Sequence, residues 1–248
     1  MIQPRAARAD LSVGTKPLLF AGAVLGIIVG FLALDQFAGA REQALIGAAT
    51  WAALLAVCIP LSAEGRGRVA IVVVVATTAE ILGSIVIGAY EYRLVNLPAF
   101  VPPGHGLVYL AGLAISQSAP VRRHRRAFLA TIIALVAAWG IAGLALLGRA
   151  DVLGALCGVL LIYVLVRGRA PTVYAGVFIM VALLELYGTA IGAWTWAAVV
   201  PGTPLPTGNP PSGIAGAYVL FDIAAIAFAP RLVSAFVSVR RLRPRFAG

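Results

Sequence analysis

Eight long apolar runs pattern this chain, at residues 17–34, 45–62, 69–91, 106–119, 128–147, 152–166, 172–197 and 213–229. Polar and basic residues gather in the short segments between them. About 20 apolar residues in a helix cross a hydrocarbon core of about 30 Å. Eight such helices need about 160 residues, which the chain has. The runs at 106–119 and 152–166 are short, but a helix inside a bundle can recruit flanking Gly, Pro and polar residues. The pattern predicts an all-α, polytopic membrane helix bundle of eight transmembrane helices.

Composition removes the alternatives. The chain has 248 residues, 61% hydrophobic and 11% charged, with a mean hydropathy of +0.99. A soluble domain of this size cannot hide so much apolar surface. A disordered chain is poor in apolar residues. Cys58 and Cys157 lie inside apolar runs and read as small core residues, with neither disulfide nor metal spacing.

Nineteen Lys and Arg against nine Asp and Glu give a net charge of +10. In a soluble protein this would suggest nucleic acid. Here topology explains it better, and no nucleic-acid partner is expected. Arg5, Arg8 and Lys16, Arg66 and Arg68, Arg122 to Arg126, Arg167 and Arg169, and the basic tail from Arg231 alternate with segments holding only Arg41, Arg93 and Arg149. Sixteen cations on one side and three on the other make a positive-inside pattern. It predicts a multi-pass cell-membrane protein with both termini cytoplasmic. The basic start, first apolar run and Ala38-Gly39-Ala40 could mimic a signal peptide. The run is long for one, and its removal would put the N-terminus outside.

The chain also repeats itself. After Arg66 comes an apolar run, then Glu80-Ile-Leu-Gly83-Ser84 and Gly88-Ala-Tyr90-Glu-Tyr92. After Arg167 comes another, then Glu185-Leu-Tyr-Gly188-Thr189 and Gly192-Ala-Trp194-Thr-Trp196. A Pro-rich loop and a further apolar run follow each. The segment after the acid differs by one residue, which a π-bulge can absorb. Four helices separate the copies, so the expectation is two parallel four-helix repeats, 1–126 and 127–248, about an axis along the membrane normal.

Three acids lie inside apolar runs. Glu80 falls roughly 16 Å and Glu185 roughly 20 Å into their helices at 1.5 Å per residue, and Asp222 lies mid-run. Such residues are costly in the bilayer and by default functional. No Lys or Arg shares their depth, so at least one carboxyl is expected to hold a proton at neutral pH. A protonated acid in an apolar pocket is a general acid, and all three are candidate catalytic residues. Ser84 and Thr189 sit one turn on, on the same faces, with Tyr90, Tyr92, Trp194 and Trp196 expected at the outer interface. With His105 and Asn209 at the outer mouth, these make eight candidate substrate-binding residues.

Plainer readings stand beside these. Small residues near the acids serve helix packing. The paired aromatics suit an interfacial belt. The carboxyls can hydrogen-bond neighbouring helices, His105 can be an ordinary loop histidine, and Asn209 with Pro210-Pro211 suits a turn.

No P-loop, dinucleotide fingerprint, HExxH, G-x-S-x-G or Asp-rich diphosphate motif occurs, so no cofactor or metal is expected. Glu185 with Gly188, Gly192, Trp194, Trp196 and the Pro-rich loop resembles integral membrane proteins of carotenoid biosynthesis, of the hydratase and lycopene-cyclase type. The segment with Glu80 looks like it as well. The resemblance implies acid chemistry on a polyene, with Glu80 and Glu185 as the acids. It does not extend to Asp222, to the run from Asn209 or to the duplication. Three functions follow: an intramembrane enzyme acting on an isoprenoid or other lipid, a proton-coupled transporter or lipid-handling protein, or a non-catalytic subunit of a membrane complex or oligomer. Expected partners are membrane lipid and a hydrophobic small molecule.

Overall fold

A computed structural model describes residues 16–146 and 148–242, with side chains to Arg231. Arg5, Arg8 and the basic tail beyond Arg231 lie outside the described side chains. Helices α1 (Pro17–Asp35), α2 (Ala40–Cys58), α3 (Ala63–Glu80), α4 (Val101–Gln117), α6 (Arg125–Ala145), α7 (Val152–Arg167), α8 (Pro171–Ala190) and α9 (Ala215–Leu242) occupy the eight apolar runs. A short α5 (Ala119–Arg123) carries part of the basic cluster before α6. Pro opens α1 and α8, where its missing N–H would be unpaired in any case. Ser62 caps α3 and Asp151 caps α7 by accepting from Gly65 N and Gly154 N, both at 3.0 Å.

Among the described residues, four helices are long and apolar enough to cross a membrane: α1, α3 with its continuation to Ile87, α6 and α8. α7 is apolar but shorter. Their outer faces carry large apolar side chains such as Leu19, Val74, Ile141 and Val159. A surface so apolar suits acyl chains rather than water.

α4 shows why one run looked too short. It is the central helix, with every residue from Leu107 to Ser116 buried. It packs most extensively on α8, while α3 packs most extensively on α9. Close approach requires glycine at the α4–α8 crossing. A Cβ on Gly176 would lie 2.3 Å from the Gly112 carbonyl oxygen.

Among the described residues, the fold is all-helical apart from two short strands. Runs three and seven do not stay helical to their ends. α3 passes into a π-helical segment, Ile81–Ile87, then stops at Gly88. α8 stops near Gly192. Both glycines are left-handed, with φ of +71° and +73°, a conformation that costs other residues a Cβ clash. Beyond them, β1 (Tyr90–Tyr92) pairs antiparallel with β2 (Trp194–Trp196), in the register Tyr90↔Trp196, Glu91↔Thr195 and Tyr92↔Trp194.

The pairing extends on both sides in matching fashion. Arg93 N donates to Ala193 O at 3.0 Å and Ala197 N to Ala89 O at 2.9 Å. Ala89 N reaches back to Gly83 O, and Ala193 N to Gly188 O, each at 2.8 Å. The stretch from Glu80 to Gly88 is one residue longer than that from Glu185 to Gly192, and it runs through the π-helical segment.

Two of the arginines in the cation-poor segments, Arg93 and Arg149, have structural work. Arg93 ion-pairs with buried Asp35 at 3.5 Å and donates to Ala38 O at 2.7 Å. Gln43 joins the same cluster, donating to Asp35 at 2.9 Å and accepting from Asn96 at 2.7 Å. Arg149 donates to the carbonyls of Trp196, Ala197, Thr207 and Gly208. It thereby ties β2 to the Pro-rich loop behind it.

Candidate functional site at the paired acids

Helical spacing places Ser84 and Thr189 one turn beyond the acids, and both hydroxyls fold back on their own helix. They donate to Glu80 O and Glu185 O, each at 2.7 Å. Neither hydroxyl reaches the carboxyl groups, so these two candidates shape the ends of α3 and α8 rather than the site.

The aromatic pairs turn inward instead of forming a belt at the outer interface. Y-x-Y and W-x-W have a period of two, so in a strand both rings of each pair point to one face. The reversals at Gly88 and Gly192 aim that face back at the acids. Tyr90 Oη and Tyr92 Oη donate to Glu80 Oε2 at 2.6 and 2.7 Å. Trp194 Nε1 and Trp196 Nε1 donate to Glu185 Oε2 at 2.9 and 3.2 Å. The cross-strand rings Tyr90 and Trp196 lie 4.5 Å apart, and Tyr92 and Trp194 lie 6.1 Å apart.

Gly83 and Gly188 make room for these rings. A Cβ on Gly188 would sit 2.0 Å from Trp194 Cη2, and one on Gly83 would sit 2.9 Å from Tyr90 Cε1. Gly188→Ala is therefore expected to displace Trp194 and break its bond to Glu185. A shift in tryptophan emission and loss of function with little loss of helix content would show it. Unchanged emission would mean that the ring relaxes at no cost.

His105, in the first turns of α4, is not an ordinary loop histidine. Its Nε2 lies 2.9 Å from Glu80 Oε1, and both side chains are buried. The partner of Glu80 is thus an imidazole rather than a Lys or Arg. Glu185 is placed differently. Its Oε2 accepts two indole N–H groups, and among the described residues its Oε1 has no protein partner. Indole offers no acceptor, so a proton carried by Glu185 sits on Oε1.

Both acids line one cavity of about 90 Å³. Its walls are largely apolar and aromatic, with Phe31 from α1, Phe100, Tyr92, Trp194, Val108 and Tyr218. The two carboxyls are near enough to act on each other electrostatically. Such a chamber can hold an apolar molecule or a few waters. Among the described residues, no group of three or more His, Cys, Asp or Glu side chains is placed to hold a metal ion.

The remaining candidates lie outside the cavity wall. Asn209 Oδ1 accepts from Trp196 N at 3.0 Å, which fixes β2 and is a turn role close to the plainer reading. Asp222 lies one turn beyond Tyr218 on α9, buried at 2% exposure. Tyr218 was not singled out in the sequence. It stacks on His105 at 5.2 Å, and its i,i+4 spacing from Asp222 was the available signal. No known protein family, curated protein or solved structure matches the chain.

Proposed function

We propose that this chain is an integral membrane protein of eight spanning helices, built as two parallel four-helix repeats with both termini cytoplasmic. Its Glu80–Glu185 chamber performs acid–base chemistry on an apolar, isoprenoid-like lipid. The repeat is supported by the equivalence of Glu80 with Glu185, Gly83 with Gly188, and the Tyr pair with the Trp pair. The packing of α3 on α9 and of α4 on α8 agrees with it. The function is carried by one observation. Two acids share one apolar cavity, one with an oxygen free of protein partners and the other bonded to a histidine.

The chemistry follows from that difference. Glu185, protonated on Oε1, gives its proton to an alkene carbon, and the π electrons form the new C–H bond. The neighbouring carbon becomes cationic. The faces of Tyr92, Trp194, Phe31, Phe100 and Tyr218 stabilise it by cation–π attraction. The Glu80–His105 pair then takes a proton, either from a carbon beside the cation or from a water that adds to it. The resemblance to carotenoid hydratases and cyclases points to the same substrate class.

Lipid extracts of cells with and without the gene test the reading. An isoprenoid should disappear on deletion while its precursor accumulates. An unchanged lipid profile together with proton-dependent uptake of a solute would favour a carrier instead, since a chamber between repeats also suits transport.

A further inference from the structure

The chamber sits toward one end of the bundle, and below it the polar residues do not stop. Tyr218 and Asp222 occupy successive turns of one face of α9. His105 and Tyr109 occupy successive turns of one face of α4. Tyr218 stacks on His105 and lies within electrostatic reach of both Glu185 and Glu80. Asp222 is buried, and its Oδ2 has no hydrogen-bond partner. Tyr109 from α4 and Tyr174 from α8 lie within its electrostatic reach.

Arg68 of α3 continues the series. Its guanidinium lies within electrostatic reach of Tyr109 and donates to Glu64 at 2.5 Å. Glu64 is partly exposed, one helical turn before Arg68 at the start of α3. Arg68 lies twelve residues before Glu80, so this series spans roughly 18 Å of helix. A buried carboxyl with an unpaired oxygen, set between a reactive chamber and a wetted end, is not explained by packing. Intramembrane acids in such chains mark proton relays.

We propose that Asp222 relays protons to the Glu80–Glu185 chamber from the face where Arg66 and Arg167 lie, passing through Tyr218 above and drawing on Tyr109, Arg68 and Glu64 below. The inference rests on the acid–base reading of the chamber. Each cycle balances once the Glu80–His105 pair releases the proton it took from the product to water, through the half-buried Tyr90 hydroxyl on Glu80. Glu185 gives a proton to substrate and is left as carboxylate. Asp222 passes its own proton through the Tyr218 hydroxyl to that carboxylate. Water at the Glu64 end restores the proton on Asp222. Arg68 stays charged throughout and positions Tyr109, because a guanidinium does not deprotonate in proteins.

The full chain in phosphatidylcholine–phosphatidylglycerol vesicles, with a caged proton released on one side, tests the relay. Time-resolved infrared spectroscopy follows the carboxyl C=O band, assigned by its loss in Glu185→Gln and Glu80→Gln. Asp222→Asn and Tyr218→Phe are each expected to slow the band about tenfold or more, equal to about 1.4 kcal/mol of barrier. The slowing should appear for protons released on the Arg66 face and not on the other. Unchanged rates in Tyr218→Phe, which keeps the ring and its packing, would overturn the relay even if Asp222→Asn does not fold. If no carboxyl band is lost in either glutamate variant, the acid–base reading itself fails, an outcome distinct from a relay that is merely absent.

Discussion

Glu185→Gln is expected to reduce formation of the lipid product by about 10²–10⁴-fold, the usual contribution of a positioned general acid. The bundle should survive the change. A glutamine keeps the carbonyl oxygen that accepts from Trp194 and Trp196, so neither indole loses its partner. What disappears is the proton on the other oxygen, replaced by an amide that cannot give one up. Glu80→Gln is expected to lose activity as well, for a different reason. Its side-chain oxygen still accepts from Tyr90 and Tyr92, but the His105 bond no longer joins a base to an ionisable acid. Product analysis in membranes, beside melting of the purified variants, separates the outcomes. Full activity with an earlier melt in both variants would reduce the acids to packing groups. Retained binding with uptake uncoupled from a proton gradient would make the protein a carrier.

The two halves of the site use one framework with different chemistry. Tyrosine hydroxyls both donate and accept, while indole N–H groups only donate. Glu80 therefore sits in a network through which protons can pass, reaching Tyr90, Tyr92 and His105. Glu185 sits in one that can only hold an acceptor still. Near-symmetric surroundings with unlike donors are a route to two carboxyls with opposite roles. On the proposed reading, the Tyr pair at Glu80 and the Trp pair at Glu185 divide the labour between the two acids.

The apolar runs were legible because hydrophobic length reports helices directly, and all eight carry one. The site was legible because its key residues are the non-apolar ones in an apolar background: Glu80 and Glu185 with their glycines and aromatics. The inward turn of those aromatics was less plain. Tyr90 and Tyr92 stand at alternate positions, as do Trp194 and Trp196, a strand period at the end of a helix period, but two alternations are short enough to pass for an interfacial belt. The partner of Glu80 was not legible, because His105 lies 25 residues away and meets it only through packing of α4 on α3. Asp35 and Asp151 stood at the edges of apolar runs, where an acid ordinarily faces water. Only the fold shows both buried.

Asp151 carries the other large effect. Its carboxylate is fully buried and accepts three backbone N–H groups: Gly154 at 3.0 Å, Gly208 at 2.7 Å and Ser212 at 2.6 Å. The first caps α7. The other two pin the Pro-rich loop, which holds β2 through Asn209 and Arg149. Removing the carboxylate leaves three buried donors unpaired, at about 1–3 kcal/mol each. Asp151→Ala is therefore expected to lose about 3–9 kcal/mol, seen as a fall in melting temperature of about 6 °C or more in lipid nanodiscs. Asp151→Asn should be nearly as damaging despite its matching shape, because its amide NH₂ must face a backbone N–H, donor against donor. The loss should reach the chamber. As the loop slackens, Trp196 loses the contacts that aim it at Glu185, and tryptophan emission should shift before the helices melt. An asparagine variant as stable as the parent would show that the carboxylate is replaceable, and that the loop is held without it.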